Sequence, residues 1–155
     1  MLPDKLFAVT NFTGFPENTH KADDLPFQNV SYMDIDDFKQ INDSRGHQEG
    51  DRVLTEISKL ILKAARDLDI CSRYGGEEFA VILPQTGRQE ALRLAERIRK
   101  RVENQFKKDL NVTISSGVAT CPLNAKSAKA LITRADKALY QSKSNGKNKV
   151  TFIQA

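Results

Sequence analysis

The stretch ICSRYGGEEFAVIL, residues 70–83, decides the fold of this 155-residue chain. Two runs of strand-forming residues, 70–74 and 77–83, flank the pair Gly75-Gly76, and this combination is typical of a tight β-hairpin. Pro84 ends the second strand, because proline cannot donate a ladder hydrogen bond. The sequence therefore predicts a hairpin whose tip carries two glycines followed by two glutamates.

The elements on either side of this hairpin follow from the spacing of apolar residues. Alternating or continuous apolar runs predict further strands over residues 28–35, 112–118 and 150–153, the second of them half-buried. Apolar residues at helical spacing predict a helical turn over 38–46 and helices from a capping Asp51 to residue 68, over 88–106 and over 128–142. This order predicts an α+β fold, a central mixed five-stranded sheet with flanking helices.

Composition sets the domain organisation and the broad class. With 39% hydrophobic and 28% charged residues, the chain suits one folded domain, which we place at residues 28–155. Residues 1–27 are predicted to be an irregular segment, since prolines and turn-forming residues are spread through them. No apolar run approaches the ~20 residues of a membrane helix, and the start lacks the features of a secretory signal. We expect a cytoplasmic protein with no membrane partner.

Several kinds of site are excluded by spacing. The two cysteines, Cys71 and Cys121, and the two histidines, His20 and His47, form no zinc-binding pattern. Neither the glycine-lysine motif of P-loop proteins nor the glycine triplet of dinucleotide-binding folds occurs. The net charge of +4 suits a polyanionic partner such as nucleotide phosphate, without selecting one.

Carboxylates gather in two places. Asp34, Asp36 and Asp37 follow the first predicted strand, and Glu77 and Glu78 follow the glycine pair. If the two strands are neighbours, these acids converge, and hard cations such as Mg²⁺ bind one or two carboxylates together with substrate phosphate oxygens. The alternative is a solvated acidic turn.

A calcium-binding loop beginning at Asp34 is excluded. The position that needs glycine in such a loop holds Lys39, and the position that needs a bidentate glutamate holds Arg45.

The segment RYGGEEF, residues 73–79, resembles the signature of GGDEF-family diguanylate cyclases in its GGEEF form. The segment MDIDDFKQIND, residues 33–43, is similar to the family pattern at its spacing, as are Gly46-His47 and Gly50-Asp51. Further matches are Ala135-Asp136, Ala138-Leu139-Tyr140, Lys143 and Gly146-Lys147. The resemblance covers about residue 28 to the end and implies the family's α+β fold.

The resemblance implies condensation of two GTP molecules into cyclic di-GMP and two pyrophosphates by a homodimer, because each domain supplies one GTP. It implies Mg²⁺ (or Mn²⁺) bound by Asp34, the carbonyl of Ile35 and Glu77, with Glu77 or Glu78 accepting the proton. The cations that it assigns to the phosphates are Lys39, Lys143 and Lys147. Gly75 and Gly76 let a phosphate approach the backbone closely.

Guanine recognition is assigned by the resemblance to Asn42 and Asp51, with Phe38 and His47 framing the pocket. An aspartate suits the N1 and N2 hydrogens of guanine, so GTP specificity is expected. Helix capping by Asp51 and turn formation by Asn42 are the alternative roles of these residue types.

The segment Arg66-Asp67-Leu68-Asp69 resembles the family's product-inhibition site. Arg66 and Asp69 would bind a product guanine, and Arg97 would supply a second contact from the next helix. The alternative is an ion pair between residues three apart at a helix end.

Before the first strand the resemblance is weak, since only Phe12-Thr13-Gly14-Phe15 follows the family pattern and its first helix is largely absent or replaced. Two other functions stay open. One is a non-catalytic receptor or interaction module that binds cyclic di-GMP or GTP. The other is an RNA-binding sheet, for which Phe79 is the sole candidate stacking residue, in a run that reads as core. We expect no nucleic-acid partner.

Overall fold

A computed structural model describes residues 28–121 and 128–153 of the chain. The described residues form a five-stranded sheet with the order β2-β3-β1-β4-β5, in which β4 and β5 are parallel and the other neighbours antiparallel. Its elements are β1 Gln28–Ile35, α1 Phe38–Arg45, α2 His47–Ala64, β2 Ile70–Gly75, β3 Glu78–Pro84, α3 Arg88–Phe106, β4 Ile114–Cys121, α4 Ala128–Ser144 and β5 Val150–Phe152. The predicted α+β class, five strands and flanking helices are confirmed.

Both faces of the sheet are covered by helices. On one face, α1, α2 and α3 bury residues such as Met33 and Phe79. On the other face, α4 buries Val30, Tyr32 and Ala80. Since alternate residues of a strand point to opposite faces, Asp34 and Glu78 lie on the α4 side.

The close approach of α4 to the sheet depends on a glycine in β4. A Cβ atom at Gly117 would stand 2.1 Å from the carbonyl oxygen of Ala135 and 2.2 Å from the amide nitrogen of Leu139. Both atoms belong to the backbone of α4 and cannot rotate away. The absence of a side chain at Gly117 therefore allows the backbone of α4 to lie this close to β4.

The sequence prediction for β4 was wrong in one respect. All eight residues of this strand are buried, whereas alternation predicted a half-buried strand. Some of its polar groups form internal hydrogen bonds: Thr120 donates to Asn29 Oδ1 at 2.6 Å, and Ser142 donates to the backbone carbonyl of Ser116 at 2.8 Å. Among the described residues, the buried hydroxyl of Ser116 has no such partner. Serine and threonine can occupy a strand that is covered on both faces when their hydroxyls are bonded.

The bounds of α2 also differ from the prediction. The helix begins at His47 after Gly46, whose φ of 89° turns the chain, so Asp51 lies inside the helix and does not cap it. The helix ends where Ala65 turns to an extended conformation. Leu68 therefore lies beyond the helix and is 65% exposed.

The predicted irregular segment 1–27 lies outside the described residues, as do Phe12-Thr13-Gly14-Phe15. Within residues 28–121 and 128–153, no helix is both long and apolar enough to cross a bilayer. Phe79 is fully buried, as its apolar neighbours predicted.

Candidate active site

The two acidic segments meet at one edge of the sheet. Asp34 lies opposite Glu78 in the antiparallel register of β1 and β3. One step further, the amide of Ile35 donates a hydrogen bond of 3.2 Å to the carbonyl of Glu77. The predicted convergence of Asp34, Glu77 and Glu78, hereafter the acidic cluster, is therefore present.

The tip of the hairpin is held by an arginine. Gly75 pairs with Glu78, which makes Gly76 and Glu77 the two turn residues. The guanidinium of Arg73 donates to the carbonyl of Gly76 at 2.7 and 3.0 Å. Neither glycine has φ in the left-handed region, yet a Cβ atom at Gly75 would stand 3.1 Å from Oε2 of Glu78. The glycine thus leaves room for the Glu78 carboxylate.

Burial and mutual repulsion change the acidity of the cluster. Burial raises the pKa of Asp34, and the charges of Glu77 and Asp36 add to this effect, while the hydrogen bond from Lys143 opposes it. Burial and then the charge of Asp34 raise the pKa of Glu78. Carboxylates held together in this way favour a cation between them.

Asp36 has a different environment from the cluster. It is 4% exposed and accepts hydrogen bonds from the hydroxyls of Thr113 and Ser115, both at 2.7 Å, from Lys143 Nζ at 2.7 Å and from the amide of Asn148 at 3.0 Å. Burial alone raises the pKa of Asp36, but the bonds from Lys143 and the two hydroxyls outweigh it and lower the pKa. Asp36 therefore holds Lys143, the loop at Asn148 and β4 together through its hydrogen bonds.

The lysines from the end of α4 and the loop after it face these aspartates. Lys143 Nζ lies 2.6 Å from Asp34 and 2.7 Å from Asp36. Lys147 forms an exposed ion pair with Asp37 at 2.5 Å. Lys39 lies on α1 and is exposed. Two of the three predicted phosphate-binding lysines thus stand beside the aspartates that follow β1.

The predicted base-binding residues lie where α1 meets α2. Phe38 is buried, Asn42 is partly buried, and His47 and Asp51 are exposed. A Cβ atom at Gly50 would stand 1.9 Å from Oδ1 of Asn42 and 3.2 Å from the ring of Phe38. Asn42 and Phe38 therefore pack directly on the residue that precedes Asp51.

The donor set of the acidic cluster fits a hard divalent cation. Asp34 and Glu77 of the cluster offer carboxylate oxygens, and the neighbouring Ile35 offers a backbone carbonyl. Mg²⁺ takes such oxygen ligands together with substrate phosphates. Among residues 28–121 and 128–153, no three His, Cys, Asp or Glu side chains are arranged to hold a metal by themselves.

A second pocket lies between the end of α2 and α3. This pocket, hereafter the α3 pocket, has a volume of about 210 Å³. It is lined by Arg66, Asp69, Leu83, Thr86, Glu90, Arg93, Leu94 and Arg97. The predicted residues Arg66, Asp69 and Arg97 therefore share one pocket, and Arg93 adds a further cation.

The alternative interpretation of Arg66 and Asp69, a local ion pair, is also present. Arg66 donates to Asp69 Oδ1 at 2.9 Å, and the Asp69 side chain is 1% exposed. Arg66 also contacts the carbonyl of Pro84 at 3.2 Å, and Arg97 donates to the last carbonyl of α2, that of Ala64, at 2.9 Å. Both arginines are thus fixed in the pocket wall.

Sequence reasoning missed several residues of the site. Tyr32 is buried and its hydroxyl bonds to Glu78, while its ring packs edge-on against Tyr74 with centroids 5.3 Å apart. Its position two residues before Asp34 places it on the same sheet face, and this alternation could have found it. No local signal pointed to Thr113, Ser115 or Asn148, because their partner Asp36 is distant in sequence.

The sequence model described as "Diguanylate cyclase, GGDEF domain" matches residues 17–149. The chain therefore belongs to the GGDEF family of diguanylate cyclase domains. It is 50% identical over 127 residues to Diguanylate cyclase A of Treponema denticola, which covers 79% of the chain and 34% of that relative. The chain thus spans about a third of the relative's length.

Solved structures agree with this assignment. The active GGEEF domain of a diguanylate cyclase from Vibrio cholerae is similar with a TM-score of 0.79 and 34% identity, covering 84% of this chain and 85% of that one. The GGDEF domain of DgcB from Caulobacter crescentus, solved in complex with c-di-GMP, has a TM-score of 0.76 and 36% identity, covering 84% and 77%.

Proposed function

We propose that this chain is a diguanylate cyclase domain, which condenses two GTP molecules into cyclic di-GMP and releases two pyrophosphates. The observation that carries the proposal is the pairing of Asp34 with Glu78 across β1 and β3, with Lys143 beside Asp34 at 2.6 Å. Acids on adjacent strand ends with a partly buried lysine suit a nucleoside triphosphate and its cation.

The residues divide the work by position. Asp34, Glu77 and the carbonyl of Ile35 hold Mg²⁺ or Mn²⁺, which when bound neutralises phosphate charge and increases the acidity of the attacking 3′-hydroxyl. Glu78 or Glu77 accepts the proton of that hydroxyl. Lys143 exchanges its aspartate partners for phosphate oxygens and stabilises the charge that develops in the transition state.

The other two predicted lysines act at the edge of the site. Lys147 forms only an exposed pair with Asp37, so it can turn to a phosphate at small cost. Lys39 is exposed on α1, the helix that follows the aspartates. Gly75 and Gly76 keep the turn backbone open to the substrate.

Asn42 and Asp51 read guanine between α1 and α2, with Phe38 and His47 at the sides. Asn42 packs on Gly50, the residue that precedes Asp51, which supports a shared site for the amide and the carboxylate. An acidic acceptor for the guanine N1 and N2 hydrogens favours GTP over ATP. One domain binds one GTP, so the reaction needs a homodimer with a two-fold axis.

The α3 pocket is proposed to bind the product. Three arginines and a buried aspartate line it, and guanidinium groups bind phosphates and stack on bases. Product bound there would inhibit further synthesis. Cyclic di-GMP is thus both product and inhibitor.

The proposal is tested by incubating the purified chain with Mg²⁺ and GTP at several protein concentrations and separating the nucleotides by chromatography. We expect cyclic di-GMP that rises faster than linearly with protein. Glu77→Gln removes product, whereas Glu56→Gln, which changes a glutamate paired with Lys59 on α2, leaves it unchanged. A chain that binds cyclic di-GMP but forms none at any concentration is a receptor, and the proposal then fails.

A further inference from the structure

The loop that carries Lys147 has an unusual backbone. Gly146, Lys147 and Asn148 are three consecutive residues with positive φ, at 104°, 62° and 48°. Only glycine adopts this region without cost, and asparagine tolerates it better than other residues. A non-glycine residue persists there when surrounding contacts fix it, and such residues concentrate at functional sites.

The contacts that fix this loop come from α3. The Asn148 side chain accepts a hydrogen bond from Arg99 Nη1 at 2.7 Å and donates one to Glu103 Oε1 at 3.0 Å. Arg99 also bonds Glu103 at 2.9 Å and is itself only 12% exposed. Arg99, Glu103 and Asn148 thus form a closed ring of hydrogen bonds, hereafter the Asn148 clamp.

The clamp is joined to the acidic side of the site through the backbone. The amide of Asn148 donates to Asp36 Oδ2 at 3.0 Å, and Asp36 accepts from Lys143 through its other oxygen. The loop is closed onto α4 by the amide of Lys147, which donates to the carbonyl of Ser142 at 3.0 Å. Asn148 therefore sits between the two lysines that face the aspartates and an anchor on α3.

We propose that Asn148 is a positioning residue, which through the Asn148 clamp fixes the left-handed loop so that Lys147 and Lys143 are set to receive the phosphates of the nucleotide. This inference rests on the proposed function. It gives Arg99 and Glu103 a role in holding Asn148. Through these two residues, α3 would contribute indirectly to phosphate binding.

The test compares two asparagines with the same backbone conformation. Asn148→Gly keeps the positive φ and the amide bond to Asp36 but removes both side-chain bonds. Asn111→Gly is the matched control, because Asn111 has a φ of 56° and an exposed side chain outside the clamp. For each chain, KM for GTP, kcat, the Kd for a non-hydrolysable GTP analogue and the melting temperature are measured.

We expect Asn148→Gly to lose roughly tenfold to a hundredfold in kcat/KM, as displaced substrate-positioning groups do. The Kd for the GTP analogue rises as well, whereas Asn111→Gly stays at the wild-type values. The melting temperature of Asn148→Gly stays close to that of the control, which separates positioning from folding.

A paired substitution supplies the rescue. Asn148→Asp places two carboxylates face to face and lowers kcat/KM. Adding Glu103→Gln restores the ring with the direction of one bond reversed. The amide at position 103 then donates to the carboxylate at position 148, and Arg99 still donates to the side chain at position 148. Recovery of most of kcat/KM and of the Kd in the double variant supports the clamp.

Two failures are distinguishable. If the wild-type chain makes no cyclic di-GMP, the proposed function fails, and the Kd for the GTP analogue still tests the clamp. If the wild-type chain is active and Asn148→Gly matches Asn111→Gly in kcat/KM and Kd, the clamp has no positioning role and the inference is overturned.

Discussion

Lys143 on α4 lies 2.7 Å from Asp36, whose side chain is 3% exposed. Four residues later, in the loop after α4, Lys147 pairs with Asp37, whose side chain is 46% exposed. The two ion pairs join the same two segments, but they differ in solvent exposure. When a buried carboxylate is removed, its former partners are left buried without a compensating charge or hydrogen bond. When one member of an exposed pair is removed, water solvates the other.

The stability of the chain is therefore expected to depend on Asp36 and not on Asp37. Asp36→Asn lowers the free energy of unfolding by about 3 kcal/mol, because the amide cannot accept all the bonds that the carboxylate does. Asp37 has a φ of 55°, which asparagine also tolerates. Asp37→Asn is therefore expected to cost less than about 1 kcal/mol, because the ion pair that it removes is exposed. Urea denaturation of both variants measures the difference, and equal losses would contradict the assignment of Asp36 as an organising residue.

Tyr32 is expected to orient Glu78. Tyr32→Phe keeps the ring contact with Tyr74 and removes only the hydroxyl bonded to Glu78, so kcat for cyclic di-GMP synthesis should fall roughly tenfold if Glu78 takes part in proton transfer. Tyr140→Phe removes a hydroxyl from a side chain that is 73% exposed and serves as control. Steady-state kinetics with GTP decide the matter: identical kcat values for wild type and Tyr32→Phe would remove Tyr32 from the site.

The sequence predicted the fold better than it predicted the inner part of the site. The hairpin of residues 70–83 and the helical spacing of α3 are local signals, and both elements lie where they were expected. The convergence of Asp34 with Glu78 was predicted only on the condition that β1 and β3 are neighbours, and the sheet meets this condition. The bonds of Asp36 could not be predicted, because Asn148 is 112 residues away in sequence and meets it only through tertiary packing.

The junction of α1 and α2 is expected to need a glycine at position 50. Gly50→Ala places a methyl group 1.9 Å from Oδ1 of Asn42 and forces that amide out of the proposed base pocket. KM for GTP should rise roughly tenfold, and the free energy of unfolding should fall by about 1–3 kcal/mol. Gly87→Ala adds a methyl group with no atom within 4 Å and should leave KM unchanged. An unchanged KM in Gly50→Ala would argue against guanine recognition by Asn42.

Product inhibition is expected to depend on Arg66. Arg66→Ala removes a guanidinium from the wall of the α3 pocket, and the affinity for cyclic di-GMP, measured by calorimetry, should fall at least about tenfold. Time courses of synthesis should then no longer slow as product accumulates. Arg134→Ala, on the exposed side of α4, serves as control. Wild-type affinity in Arg66→Ala would place the product elsewhere.

Cys71 is expected to make the fold sensitive to alkaline pH. Cys71 is 5% exposed, and burial, with a smaller contribution from the charge of Asp69, raises the pKa of its thiol from 9.0 to about 12. Because the folded pKa is above the unfolded one, the stabilisation by the protonated thiol is complete below pH 9 and is lost as the pH rises toward 12. The free energy of unfolding of the wild-type chain should therefore fall more steeply between pH 9 and 11 than that of Cys71→Ala, in which this group cannot ionise. Denaturation curves at several pH values give both slopes, and parallel slopes would mean that the thiol ionises without leaving its place in the core.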